Sequence, residues 1–258
     1  PAAVGVRVSD QHPYGRGYNF SPTLNWKIDD VSSLNTQAFI TQGNWHWSDL
    51  ANERIVVSGQ PVLADDARSQ GQWLNARIGT TYANNFDGDQ RLELRANVQF
   101  NKNDFYSRAF RNGAERRVTA GESENPAFVQ SGTYSRLVAD SHTLTTGWNL
   151  EWREWTGRSR TTELGVPLLP LFEGQDVEAR VSRYALFVQD EWDVNKRLSL
   201  YGGVRGERIE TRSKVPGSNE PANQSTILSP MFHLKYKLDE KGDHLFRSSL
   251  TSTCKAPG

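Results

Sequence analysis

Two groups of side chains in this sequence have the chemistry to hold a ligand. Trp45, His46 and Trp47 form an aromatic cluster, and five arginines supply positive charge: Arg111, Arg116, Arg117, Arg158 and Arg160. Aromatic faces stack on ring systems and on cations, while guanidinium groups donate charge-assisted hydrogen bonds to anions. The combination indicates an anionic, ring-bearing ligand, and we expect the site to lie in loops, with the aromatic cluster at the end of a strand.

No catalytic or metal site is expected from the remaining residues that could do chemistry. The histidines follow no metal-binding spacing, with no HExxH motif and no pair at i and i+4: His12, His46, His142, His233 and His244. Cys254 is the only cysteine, which excludes a disulfide framework and a thiolate metal site. The segment Asp87-Gly88-Asp89 lacks the other ligands of a calcium loop and is predicted to be a turn. We therefore expect no catalytic residue and no cofactor.

The composition indicates a sheet with one wet face and excludes other classes of protein. The chain of 258 residues has 30 basic and 30 acidic residues, so its formal net charge is zero and no nucleic-acid partner is expected. Hydrophobic residues make up 36%, a low share for a soluble domain, yet there are 8 Trp, 8 Tyr and 11 Phe. A sheet that is apolar on one face and polar on the other reconciles the two observations. No run of 18 apolar residues occurs, so no membrane-spanning helix is predicted.

Apolar and polar residues alternate along most of the chain, which is typical of strands with two different faces. Leu94 and Val98, for example, lie on one face of their run, and Arg95 lies on the other. The segment from Gly165 to Glu178 contains two prolines and is predicted to be a loop. Ten strands are predicted, at about residues 17–28, 33–46, 70–84, 90–107, 127–138, 142–157, 182–193, 197–211, 226–238 and 244–255.

Five short polar turns join these strands in pairs and recur at intervals of roughly 46 to 56 residues. The turns lie at residues 29–32, 85–89, near 140, 194–196 and 239–243. The gaps between successive hairpins are longer, about 14 to 24 residues, so the pattern predicts tight turns at one end and long loops at the other. That asymmetry is typical of a barrel in the bacterial outer membrane, which has short periplasmic turns and long external loops.

The positions of the aromatic and charged residues also favour a membrane barrel. Aromatic residues precede four of the five turns, as a membrane interface selects: Trp26, Tyr82, Trp192 and Tyr236. A charge at the lipid midplane would cost roughly 2 to 4 kcal/mol, so the apolar faces must meet lipid and the charged faces must line the lumen. The predicted lumen charges are Lys27, Glu93, Arg95, Glu151, Arg153, Glu191, Arg205, Glu207, Lys235, Arg247 and Lys255.

The last third of the chain carries a recognisable order of motifs. Residues 184–192 end in Gln-Asp-Glu-Trp, and after a turn residues 198–205 follow the pattern Leu-x-Leu-x-x-Gly-x-Arg. Leu228-Ser229-Pro230, Phe246 to Leu250, and Lys255-Ala256-Pro257 come next. This order resembles the barrels of the TonB-dependent outer-membrane receptors, although Cys254 stands where that family usually has an aromatic residue. The resemblance is strongest over residues 182–257 and is only topological before them.

The resemblance implies a fold, a location and a set of partners. The fold would be all-β, an antiparallel up-and-down transmembrane β-barrel, with residues 1–258 forming about ten of 22 strands and the plug domain absent. The location would be the bacterial cell outer membrane, with lipid and lipopolysaccharide as surroundings. The function would be active transport of ferric siderophores, driven by the TonB-ExbB-ExbD system through the plug. The aromatic cluster and the arginines would then contact an anionic iron chelate from external loops.

Three alternatives stay open at this point. The first is a complete small outer-membrane barrel that acts as a protease, a lipase or an adhesin, which the count of ten strands would suit. Such an enzyme needs clustered catalytic groups at the external rim, whereas His142 and His244 are predicted beside the short turns. The second is a soluble β-sandwich. The third concerns the candidate residues, which could be an interfacial aromatic girdle with arginines that bind lipopolysaccharide phosphates.

Overall fold

The chain forms a single antiparallel sheet. The computed structural model describes residues 5–55, 61–86, 89–171, 173–217, 221–239 and 244–252. Cys254, Lys255 with the rest of its Lys-Ala-Pro motif, residues 87–88 of the second turn and residues 240–243 of the fifth turn lie outside these ranges. The strands are β1 (Gly5–Phe20), β2 (Thr23–Lys27), β3 (Ser32–Ile55), β4 (Pro61–Phe86), β5 (Gln90–Arg111), β6 (Ala114–Ala139), β7 (His142–Glu163), β8 (Val166–Pro167), β9 (Asp176–Asp193), β10 (Leu198–Lys214), β11 (Ala222–Lys237) and β12 (Leu245–Thr251).

The topology is an up-and-down meander, as the alternation predicted. The sheet order is β1-β3-β4-β5-β6-β7-β9-β10-β11-β12, with β2 paired to β3 and β8 paired to β7. The predicted first strand is divided at Pro22, which has no N–H to donate to a ladder and separates β1 from β2. Within the described ranges β1 and β12 each pair on one side only, so the sheet is an open wall and the small closed barrel is not the structure seen here. No helix in the described part of the chain is long and apolar enough to span a membrane.

Among the described residues, no second layer of protein packs against the wall. Only four apolar residues in the described ranges are buried, and three of them are alanines: Ala51, Ala127, Ala185 and Ile209. A β-sandwich buries the facing sides of two sheets against each other, and only one sheet is present among the described residues. The soluble sandwich is therefore wrong for this part of the chain.

Cross-strand pairing sorts the side chains into two faces, because residues directly opposite each other on neighbouring strands share a face. We call the side that carries Trp26, Tyr82 and Leu186 the apolar face. One of its rows runs Trp26, Leu34, Tyr82, Leu94, Gly132, Trp148, Leu186, Gly206. The polar face is the opposite side, and the next row on it runs Asn25, Asn35, Thr81, Arg95, Ser131, Asn149, Ala185, Glu207. The apolar face is exposed, as Leu186 at 70% illustrates, which is the arrangement of a sheet that meets lipid.

The strands are longer than predicted, and the prediction of long external loops is largely wrong. Strands β3 to β7 contain 22 to 26 residues each, well beyond the about 9 to 11 that cross a bilayer. The gap predicted between the fourth and fifth strands is filled by both strands and a two-residue turn, Asn112-Gly113. Both faces are polar in these extensions, so the apolar–polar alternation on which the prediction rested disappears there. Of the predicted loop from Gly165 to Glu178, the described residues 165, 168–171 and 173–175 lie outside the strands.

In the tight turns, side-chain oxygens accept hydrogen bonds from backbone amides that have no partner on a neighbouring strand. In the first turn the amides of Val31 and Ser32 donate to Asp29 Oδ1 at 2.9 and 2.6 Å. In the fourth turn the amide of Leu198 donates to Asn195 Oδ1 at 3.0 Å. Asp and Asn make such turns because their short side chains reach the backbone two or three residues ahead. This chemistry explains why the turn positions could be read from the sequence.

The first turn gives a pH-dependent prediction. The hydrogen bond from the Val31 amide, followed by those from Ser32 and the charge of Lys27, holds the pKa of Asp29 below its ordinary value of 3.8. Because the pKa of Asp29 is lower in the folded than in the unfolded protein, the ionised carboxylate stabilises the turn at pH values above the unfolded pKa. This stabilisation is lost as the pH falls through the folded pKa. Asp29→Asn keeps the acceptor oxygen and removes the titration. We expect the difference in denaturation midpoint between the two proteins to shrink as pH falls below about 4, and a difference that stays constant down to pH 2 would contradict the prediction.

Candidate ligand-binding wall

The polar face is charged near the tight turns. Arg183 on β9 lies 3.5 Å from Glu151 on β7 and 3.3 Å from Glu207 on β10. Arg153 forms a further ion pair with Glu151, and Arg205 lies 3.0 Å from Glu207. We call these five residues the lumen ion-pair network. The alternating charges neutralise one another along a wet surface, as expected for side chains that line a water-filled or plugged lumen.

The predicted set of lumen charges agrees with the pairing. Lys27 lies in the same row as Glu93, Arg95 shares a row with Glu207, and Lys235 lies opposite Arg247. Glu191 lies opposite Tyr201 on the same face. Each of the predicted charges in the described ranges therefore lies on the polar face, and Lys255 lies outside those ranges.

Further from the tight turns the polar face changes character and becomes aromatic. Trp45 and Trp47 on β3, Trp73 on β4, Phe105 on β5 and Trp155 on β7 all lie on it. We call these five residues the ring wall. Their neighbours on the same face are glycine, serine, threonine and asparagine, as in the row Gly15, Trp45, Gly71, Phe105, Gly121, Ser159.

Glycines let the rings lie flat against the sheet. A Cβ atom added at Gly71 would be 2.7 Å from Trp45 Nε1, and one at Gly43 would be 2.5 Å from the Trp73 ring. A Cβ at Gly121 would be 2.4 Å from the Phe105 ring. Each ring thus occupies the space that a side chain on the neighbouring strand would fill. A ring that lies over a glycine keeps its other face free for a ligand.

The structure divides the predicted site residues between the two faces and places them in strands. Trp45 and Trp47 lie in the middle of β3, and Arg117 lies near the start of β6, on the polar face. His46 lies on the opposite side, because successive residues of a strand point to opposite faces. Arg158 and Arg160 are also on that opposite side of β7. Arg111 ends β5, and Arg116 lies beside an irregularity in the β5–β6 pairing. The prediction that these residues lie in loops is therefore wrong, while a role in ligand binding stays a prediction.

All five predicted arginines have carboxylate partners. Arg111 Nε lies 2.9 Å from Asp65, and Arg117 lies 3.2 Å from Glu163, which also has Arg116 at 3.9 Å. Arg158 and Arg160 likewise meet Asp176 at 2.9 Å and Glu173 at 3.1 Å. An arginine that already has a carboxylate partner offers less net positive potential to an anionic ligand. This arrangement weakens the idea that the arginines form a receptor for negative charge.

His46 belongs to a surface on the outside of the wall. Its ring stacks on Tyr14 with the centroids 4.6 Å apart. Arg68 and Arg108 lie nearby on the same side and both approach the ring of Phe110, at 5.7 and 5.1 Å from its centroid. This cluster continues the apolar face beyond its apolar rows, where the surroundings of a membrane barrel are lipid head groups and sugars.

The described residues offer no arrangement that suits metal binding. No group of three or more His, Cys, Asp or Glu in these ranges could hold a metal ion. His142 pairs with Asp190 at 2.8 Å and stacks on Trp192, beside the tight turn that precedes β7. His244 pairs with Asp239 at 2.6 Å, between the end of β11 and the start of β12. Both histidines lie at the end of the wall opposite the ring wall.

Trp73, Phe105 and Trp155 were not singled out by the sequence analysis. They are far apart in sequence and approach Trp45 only through the register of four hairpin pairings. Their spacing from the predicted lumen charges could have identified them. Within one strand, an aromatic residue that is an even number of positions from a lumen charge lies on the same face as that charge. Trp155 is two residues after Arg153 and meets this condition.

Comparison with protein families gives one match over nearly the whole chain. The family described as TonB dependent receptor-like, beta-barrel, matches residues 5–258. No curated protein matches the sequence.

Solved structures share the architecture at low sequence identity. The ferric citrate transporter FecA, in its unliganded form, has a TM-score of 0.53 at 10% identity, over 92% of this chain and 42% of that one. The ferric yersiniabactin uptake receptor FyuA from Yersinia pestis has a TM-score of 0.51 at 11% identity, over 93% of this chain and 45% of that one. These likenesses establish the fold, and the chain spans less than half the length of either structure.

Proposed function

The chain belongs to the family of TonB-dependent receptor β-barrels, and we propose that it forms part of the wall of an active transporter for ferric siderophores. The members of this family are receptors and transporters of the outer membrane. The single observation that carries the proposal is the division of one sheet into an exposed apolar face and a polar face with two zones. An enzyme mechanism has no support from the described residues, and none is proposed.

The proposed location is the bacterial outer membrane, with the apolar face against lipid. The rows that hold Leu186, Val98 and Phe128 would form the lipid-facing belt, because they are exposed and carry almost no charge. Beyond the belt, the cluster of Arg68 and Arg108 around Phe110 would face lipopolysaccharide. Both arginines are already partnered by carboxylates, Asp66 and Glu115, so this contact would involve sugars as well as phosphates.

The proposed energy source is the TonB-ExbB-ExbD system, acting through a plug domain. The lumen ion-pair network supports this idea, since Arg183, Glu151 and Glu207 form a wet charged surface of the kind that a removable domain can pack against. A dry apolar surface would hold a plug too firmly for it to rearrange. The chain would need no cofactor of its own, and iron would enter only as cargo.

The ligand proposal follows the two structures that share the fold. FecA is described as a transporter of ferric citrate and FyuA as an uptake receptor for ferric yersiniabactin. We extend the general class, an iron chelate, to this chain on the strength of the ring wall, whose partly exposed aromatic rings suit a bulky ligand.

The experiment uses a bacterium that produces the intact protein. We expect deletion of its gene to abolish energy-dependent uptake of at least one radiolabelled ferric chelate from a panel of hydroxamates, catecholates and carboxylates. Dissipating the proton-motive force, or deleting the gene for TonB, should reduce uptake to the same background. Uptake of every chelate at the wild-type rate in the deletion strain would contradict the proposal, provided that the panel includes chelates that the wild type imports.

A further inference from the structure

On β1 and β3 to β7, the part of the polar face that carries the ring wall has no ionisable side chain. At its edge, the carboxylate of Glu173 accepts a hydrogen bond from the Thr161 amide at 3.3 Å and pairs with Arg160 at 3.1 Å. Four successive rows across β1 and β3 to β7 contain only neutral residues in the described ranges. They are Asn19, Thr41, Asn75, Asn101 and Asn125; Gly17, Gly43, Trp73, Asn103, Ser123 and Gly157; Gly15, Trp45, Gly71, Phe105, Gly121 and Ser159; and Pro13, Trp47, Ser69, Ser107, Thr119 and Thr161. Trp155 lies on the same face of β7.

Charges resume on both sides of these rows. Arg77 and Arg153 lie in the next row towards the tight turns. Asp49, Arg117 and Glu163 lie in the next row towards the other end. The neutral zone is thus bounded by charged rows on a face that is otherwise rich in ion pairs. The polar face as a whole is charged, and only the rows that carry the ring wall are neutral. The absence of charge is therefore a specific feature of the ring wall.

We propose that the ligand bound by the ring wall carries no net charge, an inference that rests on the proposed uptake of an iron chelate. The rings of Trp45, Trp73 and Phe105 offer flat apolar faces backed by glycines, and Trp155 is 40% exposed. The asparagines and hydroxyls beside them supply neutral donors and acceptors. These groups match a ligand with amide or hydroxyl groups and compact apolar faces.

A charged ligand is disfavoured at this zone for an energetic reason. An anion that leaves water needs a counter-charge or several charge-assisted hydrogen bonds, and the four rows supply no cation. Arg117 is the nearest arginine towards the end of the wall away from the tight turns, and it is already paired with Glu163 at 3.2 Å. A ferric complex with a multiple negative charge that is held within these four rows would therefore lose hydration with no cation of the rows to compensate for it. An uncharged complex meets no such penalty and gains the stacking energy.

The intact protein, purified in detergent, provides the test through calorimetric titration with three probes. Ferrichrome is an uncharged ferric tris-hydroxamate, ferric dicitrate is an anionic chelate, and maltoheptaose is an uncharged oligosaccharide. We expect ferrichrome to bind more tightly than ferric dicitrate. Its Kd should stay nearly constant between about 0.05 and 0.5 M NaCl, because a neutral ligand has no charge for salt to screen.

A pair of neighbouring residues supplies the matched variants. Phe105 lies on the ring wall, and Tyr106 lies on the opposite face of the same strand. We expect Phe105→Ala to weaken ferrichrome binding about tenfold, the loss of one stacked ring, while Tyr106→Ala leaves the Kd unchanged. Equal losses in both variants would overturn the inference, because they would indicate a general disturbance of the sheet.

The probes separate failure of this inference from failure of the proposed function. Tighter, salt-sensitive binding of ferric dicitrate would overturn the inference of an uncharged ligand and leave iron transport standing. Binding of maltoheptaose alone would support the uncharged ligand and overturn the proposal of an iron chelate. Binding of none of the three would overturn the inference itself.

Discussion

Replacing Val98 with arginine should lower the free energy of unfolding of the intact protein in lipid bilayers by about 2 to 4 kcal/mol. Val98 lies on the apolar face in the middle of β5, and its side chain is 48% exposed. Its cross-strand neighbours Ile78 and Phe128 are exposed to a similar extent, at 46% and 41%. No protein covers this patch in the described structure, so the cost of the charge comes from lipid alone.

The matched control is Asn97→Arg, one position earlier on the same strand. Asn97 lies on the polar face between Gly79 and Val129, where a charge would meet water or other polar groups. Its substitution should change stability by no more than about 0.5 kcal/mol, as for other surface positions. Denaturant titrations of both variants in bilayers of the same lipid would measure the difference. Equal, small effects would mean that lipid does not cover the apolar face.

The same physics explains which parts of the fold were predictable. Lipid on one side and water on the other impose an apolar–polar period of two, and the strands can be recognised in the sequence where that period holds. In β5 the alternation of Leu94, Arg95 and Val98 located the strand correctly. The tight turns were also predictable, because acidic and amide residues such as Asp29 bond to the backbone ahead of them.

The strand extensions were missed because water surrounds both of their faces. Where β5 and β6 continue beyond the apolar belt, apolar residues no longer mark one side. A different signal was available, since Asn112-Gly113 has φ angles of 50° and 79°, the conformation of a two-residue hairpin turn that Asn-Gly favours. The similar turn at Leu164-Gly165 has φ angles of 53° and 78° and carries no such clear signal, because leucine rarely adopts a positive φ.

The candidate site was harder to predict from the sequence than the strands were. Trp45, His46 and Trp47 were grouped by adjacency, although successive residues of a strand cannot share a face. The arginines were grouped by charge, although their carboxylate partners come from other segments, as Glu163 does for Arg117. Both errors arise because a site on a sheet is assembled across strands. Register decides its membership, and register depends on hairpin turns and irregularities such as the one between Ala109 and Phe110.

A wall without a core must hold its shape by other means. Backbone ladders between long antiparallel strands supply most of the order, and pairs of an aromatic ring with a glycine supply specific side-chain packing across strands. Trp45 over Gly71 and Phe105 over Gly121 are two such pairs on the polar face, and Trp148 over Gly132 is one on the apolar face. On the polar face these pairs both support the sheet and orient the ring wall, so stability and ligand binding should depend on the same glycines.

Gly71→Ala should therefore weaken both properties at once. An added Cβ would lie 2.4 Å from the backbone oxygen of Asp104 and 2.7 Å from Trp45 Nε1. The ring can tilt away, but the backbone oxygen can move only if β4 and β5 separate locally. We expect a loss of about 1 to 3 kcal/mol in the free energy of unfolding, typical of an overpacked site. The tilted Trp45 ring should also lose its contact with a ligand, which a titration of the folded variant would measure.

Gly79→Ala is the control, because Gly79 lies on the same strand and the same face. A Cβ there would meet nothing closer than Asn97 Nδ2 at 3.8 Å, an ordinary contact. This variant should bind ligand normally and be as stable as the wild type, or more stable by about 0.4 to 1 kcal/mol because alanine restricts the unfolded chain. If the two variants behaved alike, the glycine at position 71 would not be what holds the Trp45 ring flat, and the orientation of the ring wall would need another cause. If only Gly71→Ala fails, the rows of glycine between the rings are part of the binding surface, because they determine which face of each ring a ligand can reach.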